Sequence, residues 1–289
     1  MGHKSTTFAE NNMNLFYNGR TLDISTPTVM GILNLTPDSF FDGGKHQHQD
    51  NILESCAQML RDGAQIIDIG GVSTRPGAPE VSEEEELKRV VPILQLLVKI
   101  FPETWFSIDT FRAGVARICL DNGASIINDI SGGELDGEMF SLIAQHQVPY
   151  VLMHMHGTPQ TMQLHPFQGA VVTEVAHFFK RKVAELTRLG ARQIVLDPGF
   201  GFGKSLEANY LLLKNLETLR IDQWPLLAGV SRKSMINKVL ETKADQALNG
   251  TTVLNTLALQ NGANLLRVHD VKEAVECIKL VAMYQNVSE

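Results

Sequence analysis

Eight short, unbroken runs of β-branched and other apolar residues recur along the chain, at 29–35, 66–71, 105–110, 125–130, 149–155, 193–197, 226–231 and 265–268, with amphipathic helical stretches between them. Runs this short, without polar alternation, suit parallel strands covered on both faces. Eight strand-helix alternations favour an α/β fold of the (β/α)8 TIM barrel type over an open doubly wound sheet. The length of 289 residues suits one such barrel, and no linker composition divides it. The expected organisation is an N-terminal extension over 1–20 and a single barrel domain over 21–289.

Local signals agree with this reading. A helix over 82–99 opens with Ser82 and the glutamates Glu83 to Glu86, which favour the positive end of the helix dipole. Another over 171–189 stops at Gly190, a normal C-cap residue. After Ser231 the pattern reads as two helices split near 242–244. The stretches 36–48 and 73–81 are rich in loop residues and follow strands, so both are expected to rise from the catalytic face.

Composition narrows the function. A net charge of −7 argues against a nucleic-acid or membrane-surface partner, since both are polyanionic, but leaves room for a small anionic ligand gripped by a few local cations. Cys56, Cys119 and Cys277 are widely spaced and read as buried small hydrophobes of a protein kept in a reducing compartment. No apolar run has the length of a membrane span and the first residues lack a signal-peptide core, so a cytoplasmic location is expected.

Nearly every strand ends on a polar residue: Asn34, Asp68, Asp109, Asn128, His154, Asp197, Ser231 and His269. Polar residues also mark where strands leave a core, yet that alone explains poorly why one pole is so rich in Asp, Asn and His. Asn34 offers an amide oxygen to a hard cation or an N–H to a phosphate, or simply caps a loop. Arg75, in a loop stiffened by Pro76 and beside Thr74, can hold a phosphate with two N–H groups or be a surface charge. Asp109 and Asn128 can read a planar heterocycle with both donors and acceptors. The stretch 196–205 superficially matches a phosphate-binding P-loop, but the first required glycine falls on Pro198, which rejects a nucleotide triphosphatase. Asp197 is better placed to bond a ligand directly, with Phe202 and Lys204 on the adjoining loop. Lys233 and Ser234 stand where a strand opens into a helix, a ready place for a carboxylate. Arg267 and His269 alternate along the last strand and point to one side. His154 and His156 have metal-ligand spacing and could bind zinc, but a convincing site needs further His, Lys or Asp ligands at later strand ends; loop hydrogen bonding is the plainer reading.

Taken together, MGILNLTPDSFFDGG, GAQIIDIGGVSTRPGA, SIDT, IINDISGG, LMHMHGTPQTMQ, LDPGFGFGK, GVSRKSMI and LRVHDV, in that order from about residue 28 to 271, closely resemble the bacterial dihydropteroate synthases of the pterin-binding family. The resemblance implies a transferase of folate synthesis that joins 4-aminobenzoate to (7,8-dihydropterin-6-yl)methyl diphosphate by dissociative substitution. It implies a pterin pocket of Asp109, Asn128, Asp197 and Lys233 with Arg267 along the ring, and a diphosphate site of Asn34, Thr74, Arg75, Arg267 and His269. It also implies an aminobenzoate pocket of Phe40, Pro76, Phe202, Lys233 and Ser234. Asp109, Asp197, Lys233 and Arg267 are the expected catalytic set. Mg²⁺ is expected at Asn34, sulfonamides are expected inhibitors, and a homodimer is expected. One departure is Val72, where the family usually has Glu. Two alternatives share the barrel: a methyltransferase working with a corrinoid partner, which would need neither Arg75 nor an aminobenzoate pocket, and a degenerate relative that only binds pterin, to which Val72 gives slight support.

Overall fold

The apolar runs become strands because each is buried on both sides, inward against the other strands and outward against helices. The structure, a computed structural model, describes residues 13–35, 45–72, 81–162, 164 and 166–287, with 45–48 described by backbone alone. The chain begins with an antiparallel hairpin, β1 (Asn14–Tyr17) and β2 (Arg20–Asp23). Then follow β3 (Thr28–Asn34), α1 (Lys45–Arg61), β4 (Ile66–Gly70), α2 (Glu83–Ile100), β5 (Trp105–Asp109), α3 (Ala113–Asp121), β6 (Ile126–Asp129) and α4 (Met139–His146). The second half holds β7 (Tyr150–Met153), α5 (Val171–Leu189), β8 (Ile194–Asp197), α6 (Leu206–Lys214), β9 (Leu227–Ala228), α7 (Ser234–Leu240), α8 (Leu248–Gln260), β10 (Leu265–Val268) and α9 (Val271–Asn286).

Strands β3 to β10 form a parallel sheet in the order β8-β7-β6-β5-β4-β3-β10-β9. A parallel bridge between Leu196 and Leu226, with the Leu196 N–H donating to Pro225 O at 2.8 Å, joins its two ends and closes the barrel. The expected (β/α)8 architecture is therefore present. The helix expected over 82–99 runs from Glu83 to Ile100, with Ser82 Oγ accepting from the Glu85 N–H. The helix over 171–189 ends at Gly190 in the left-handed region. Two differences have local causes. Helix α1 starts at Lys45, inside the stretch expected to be loop, and β9 is two residues long where six were expected. After Ala228 the chain leaves the ladder, turning with the Lys233 N–H on Val230 O and with Arg232 at φ 55°. Cys56, Cys119 and Cys277 are free and buried, and among the described residues no helix is long and apolar enough to cross a membrane.

Side chains alternate in and out along each strand, so the barrel interior is layered. The lowest layer takes one apolar residue from each strand: Met30, Ile66, Trp105, Ile126, Val151, Val195, Leu227 and Leu265. Leu15, Leu22 and Ile24 of the hairpin pack against that layer from below. Of the expected extension, residues 13–20 are described; they contribute β1 and Leu15 to this plug, while Leu22 and Ile24 lie beyond the expected boundary at residue 21. Gln193 fastens it by imitating a strand: its side-chain oxygen accepts from the Phe16 N–H at 2.5 Å, and its amide donates to Phe16 O at 2.7 Å. Arg20 fastens the other side, its guanidinium 5.2 Å from the centre of the Trp105 ring.

Because Leu15 is only 3% exposed, Leu15→Ala is expected to lower the unfolding free energy by about 2–5 kcal/mol through lost transfer energy and a cavity in the floor. Urea unfolding checks this; an unchanged midpoint would mean that the hairpin does not belong to the barrel core.

Candidate active site

Two residues above the apolar floor, the interior turns polar. Asp68 on β4 is fully buried, and its Oδ2 accepts from Arg267 Nε on β10 at 2.6 Å and from Asn128 Nδ2 on β6 at 3.0 Å. The same guanidinium donates through Nη2 to Asp109 Oδ2 on β5 at 2.7 Å. Four strands are thus braced across the cavity by one arginine and its partners. Asp68 and Ser107 are register partners on β4 and β5, and Asp68 Oδ1 and Ser107 Oγ are buried without a hydrogen-bond partner among the described residues. Burial pushes the Asp109 carboxyl up to about 7; the Arg267 guanidinium opposes this, and the nearby Asp68, Glu86 and Asp129 charges add to it. For Arg267 burial works against the charge, but Asp68 and Asp109 outweigh it and the guanidinium is held more firmly protonated than usual.

Asp197, at the end of β8, accepts from the Gly199 N–H at 2.7 Å. Burial raises its carboxyl, against Lys233, the Gly199 hydrogen bond, Arg267 and Lys204. Lys233 stands just before α7, its ammonium donating to Phe200 O and lying 4.7 Å from the Phe202 ring centre. Burial lowers it to about 8, Asp197 resists this, and Arg267 lowers it further. A Cβ placed on Gly229 would lie 3.7 Å from Lys233 Nζ and 3.9 Å from Arg267 Cβ, so the two cationic side chains flank the same point. His269 Nδ1 lies 3.0 Å from Ser231 Oγ, which also accepts from the His269 backbone N–H. Arg232 and Asp270 tie the same two strand ends together through two hydrogen bonds.

A Cβ on Gly70 would come within 3.5 Å of Asn34 Oδ1 and 3.8 Å of Asp109 Oδ2, so glycine keeps an oxygen-lined gap open there. Hard oxygen donors of this kind suit a magnesium ion that takes its remaining ligands from water or substrate phosphate. No group of three or more His, Cys, Asp or Glu residues that could hold a metal occurs among the described residues.

One rim therefore collects Asn34, Asp109, Asn128, Asp197, Lys233, Arg267 and His269. Phe202 lines it, and Ser234 is exposed at the first position of α7. Phe40, Thr74, Arg75 and Pro76 lie outside the described residues. The two histidines part company. His154 is buried with its ring edge-on to Phe178 at 5.0 Å, and burial drives it down to about 3, leaving it neutral. His156 packs on Phe167 at 5.3 Å. Both rings pack on aromatic neighbours, and the hydrogen bonds to the loop run through the backbone, with the His156 N–H on Phe202 O and Lys204 donating to His154 O, while His154 Nδ1 has no partner among the described residues. The sequence marks Asp68 only as one of the polar strand ends and assigns it no place in a pocket, although a carboxylate in the middle of the apolar run IIDIG was a visible signal, and it places Lys204 merely on a loop.

The family model for pterin binding enzymes matches residues 30–269. The dihydropteroate synthase of Escherichia coli strain K12 is 45% identical over 271 residues, covering 93% of this chain and 95% of that protein. That of Haemophilus influenzae is 43% identical over 270 residues, covering 93% and 98%. Among solved structures, Yersinia pestis dihydropteroate synthase in a sulfonamide drug complex superposes with a TM-score of 0.88 at 44% identity, covering 95% of this chain and 100% of that one. The Xanthomonas albilineans enzyme in complex with 7,8-dihydropteroate gives 0.86 at 36% identity, covering 96% and 100%.

Arg267→Met keeps most of the stem but removes the charge that Asp109 and Asp68 share. Breaking a buried pair from one side is expected to cost about 3–5 kcal/mol. The sign of its pH dependence follows from Asp109. A carboxyl raised from 3.8 to about 7 binds its proton more tightly when folded, so its stability contribution is lost as pH rises to about 7. Without Arg267 that folded value climbs further, and the variant goes on losing stability after the wild type has stopped. Urea unfolding is therefore expected to show a deficit that widens above about pH 7; a deficit equal at pH 6 and pH 9 would contradict the assignment.

Proposed function

The chain belongs to the pterin-binding enzymes and, among them, to the dihydropteroate synthases, and from that premise we propose how its rim works. It is a transferase that condenses (7,8-dihydropterin-6-yl)methyl diphosphate with 4-aminobenzoate, releasing 7,8-dihydropteroate and pyrophosphate. The observation that carries the residue assignment is the Arg267 brace, a cation held between Asp68 and Asp109 in a cavity that Asn128, Asp197 and Lys233 also border. A flat heterocycle with donors and acceptors along its edge meets Asp109, Asn128, Asp197 and Lys233, with the guanidinium of Arg267 along its face. The diphosphate lies toward Asn34, Thr74, Arg75, Arg267 and His269, and the aminobenzoate toward Phe40, Pro76, Phe202, Lys233 and Ser234. For Phe40, Thr74, Arg75 and Pro76 the support is the sequence motif alone.

The bond from the pterin methylene to the diphosphate oxygen breaks first, and its electron pair leaves with the oxygen. Arg75, Arg267 and His269 meet the growing negative charge on the departing group. The positive charge left behind spreads from the methylene into the ring, where the carboxylates of Asp109 and Asp197 offset it. The neutral amine of 4-aminobenzoate then forms the new C–N bond, and the resulting anilinium gives its proton to the released diphosphate. Its orientation lowers the entropic part of the barrier to this second step, and excluding water from the cavity keeps it from taking the amine's place. Asn34 would hold Mg²⁺, which when bound neutralises charge on the diphosphate.

The homodimer is supported by an apolar outer face. Leu280, Met283 and Tyr284 on α9 are 72%, 67% and 74% exposed, beside Val253 and Leu257 of α8, the helix whose Thr256 hydroxyl meets Cys277 of α9. Light scattering on purified protein is expected to return twice the chain mass; a monomer at micromolar concentration would overturn this part.

Pyrophosphate release that requires both substrates tests the enzyme assignment. It is expected to fall when EDTA removes Mg²⁺ and to be inhibited by sulfonamides in competition with 4-aminobenzoate. Lys233→Ala and Asp197→Asn are expected to lower kcat/KM on the order of 100- to 1,000-fold, as for loss of one group that stabilises developing charge. Wild-type kinetics from either variant would contradict the pocket assignment.

A further inference from the structure

Lys204 is a buried charge beside the pocket that the proposed mechanism leaves unused. Lys204 is 5% exposed, and its ammonium donates to the carbonyls of Gly199 at 2.8 Å, His154 at 3.0 Å and Phe202 at 3.1 Å. Three donors meet three acceptors, so the group is fully satisfied. Those carbonyls converge because the 199–203 loop folds tightly against the end of β7. Gly199 and Gly203 take φ of 67° and 68°, and a Cβ on either would stand 2.0 Å from His154 O or His156 O. Without a cation at their focus, the carbonyl dipoles would face one another in a dry site.

The same loop carries both partners of the pocket. Gly199 gives its N–H to Asp197, Phe200 gives its carbonyl to Lys233, and Phe202 lays its ring beside the Lys233 ammonium. An uncharged second tie exists: Asn209 Oδ1 accepts from the Gly201 N–H at 2.6 Å, and its amide donates to Ser205 O at 2.7 Å.

Resting on the dihydropteroate synthase reading above, we propose that Lys204 is a positioning residue for this reaction: its ammonium fixes the 199–203 backbone that sets Asp197 and Lys233, and its charge helps keep Asp197 ionised. The charges facing Asp197 are Lys233, Arg267 and Lys204, all opposing the effect of burial on its carboxyl. Lys204 in turn faces Asp197 and Lys233; burial brings it down to about 7, Asp197 resists, and Lys233 adds to the lowering. His154, neutral at these pH values, contributes its carbonyl. On the acidic side of neutrality Lys204 is therefore protonated, where its charge bears on Asp197.

The test compares full-length wild type, Lys204→Met and Asn209→Ala in the two-substrate pyrophosphate assay between about pH 5 and pH 9. Both variants disturb the loop, but only one removes charge. Misplacement of pocket groups by the loop is expected to cost each variant on the order of 10- to 100-fold in kcat/KM. The acidic limb of the pH profile is expected to move to higher pH in Lys204→Met and to stay in place in Asn209→Ala. Lys204→Gln keeps two donors without the charge, and carries the same comparison should the methionine variant fail to fold. An active wild type with the limb unmoved in the neutral variants overturns this proposal alone. A wild type that releases no pyrophosphate from the two substrates overturns the enzyme reading, and this proposal with it.

Discussion

A guanidinium suspended between two carboxylates inside a closed barrel is the interaction on which the rest of the site depends. Arg267 reaches Asp68 and Asp109 at 2.6 Å and 2.7 Å, and Asn128 completes the pairing of Asp68. Taking ions out of water carries a penalty of roughly several kcal/mol each, which only close pairing offsets. The arrangement is therefore a poor way to stabilise a barrel and a good way to hold charge in a chosen place. Because the brace spans β4, β5, β6 and β10, it also fixes the relative heights of strands that lie on opposite sides of the cavity.

The layer beneath makes the brace possible. Eight apolar side chains, one per strand, close the barrel, and the hairpin seals them from below with Leu15, Leu22 and Ile24. Water cannot reach the polar layer from that end, so its charges act in a medium of low polarisability, where each is worth more than at the surface. The same dryness explains the perturbed groups: Asp109 and Asp197 are raised, and Lys204 and Lys233 lowered, chiefly by burial. In the proposed mechanism, which separates a diphosphate from a developing cation, such charges need no reorganisation at the moment of reaction.

The opposite wall is organised by backbone more than by side chains. The loop after β8 turns on glycines that pass too close to β7 for any side chain, and its carbonyls and N–H groups do the bonding to Lys204, Lys233 and Asp197. Arg232, in the left-handed region at φ 55°, and its paired Asp270 hold the neighbouring ends of β9 and β10. The rim thus joins a side-chain network on one half to a backbone network on the other, with Lys233 and Arg267 meeting near Gly229.

Much of this was legible in the linear chain. The barrel followed from eight buried runs, the helix ends from Ser82 and Gly190, and the rim from polar residues at strand ends, because period and position along a strand are local properties. What lay beyond reach depended on distance in space. The run IIDIG shows an acid in an apolar strand but not that its partner is Arg267, 199 residues later. The first strand of the hairpin read as part of an extension because the face it covers is assembled from eight strands that only the closed barrel brings together. Lys204 read as a loop cation because its burial is created by carbonyls from 154, 199 and 202. By itself, then, the sequence determined the architecture and which polar residues end the strands, since both are written in residue type and spacing. The tertiary structure alone decided which charges neutralise one another and which backbone atoms hold them, because pairing energies depend on separation and dielectric, and neither exists until the barrel closes.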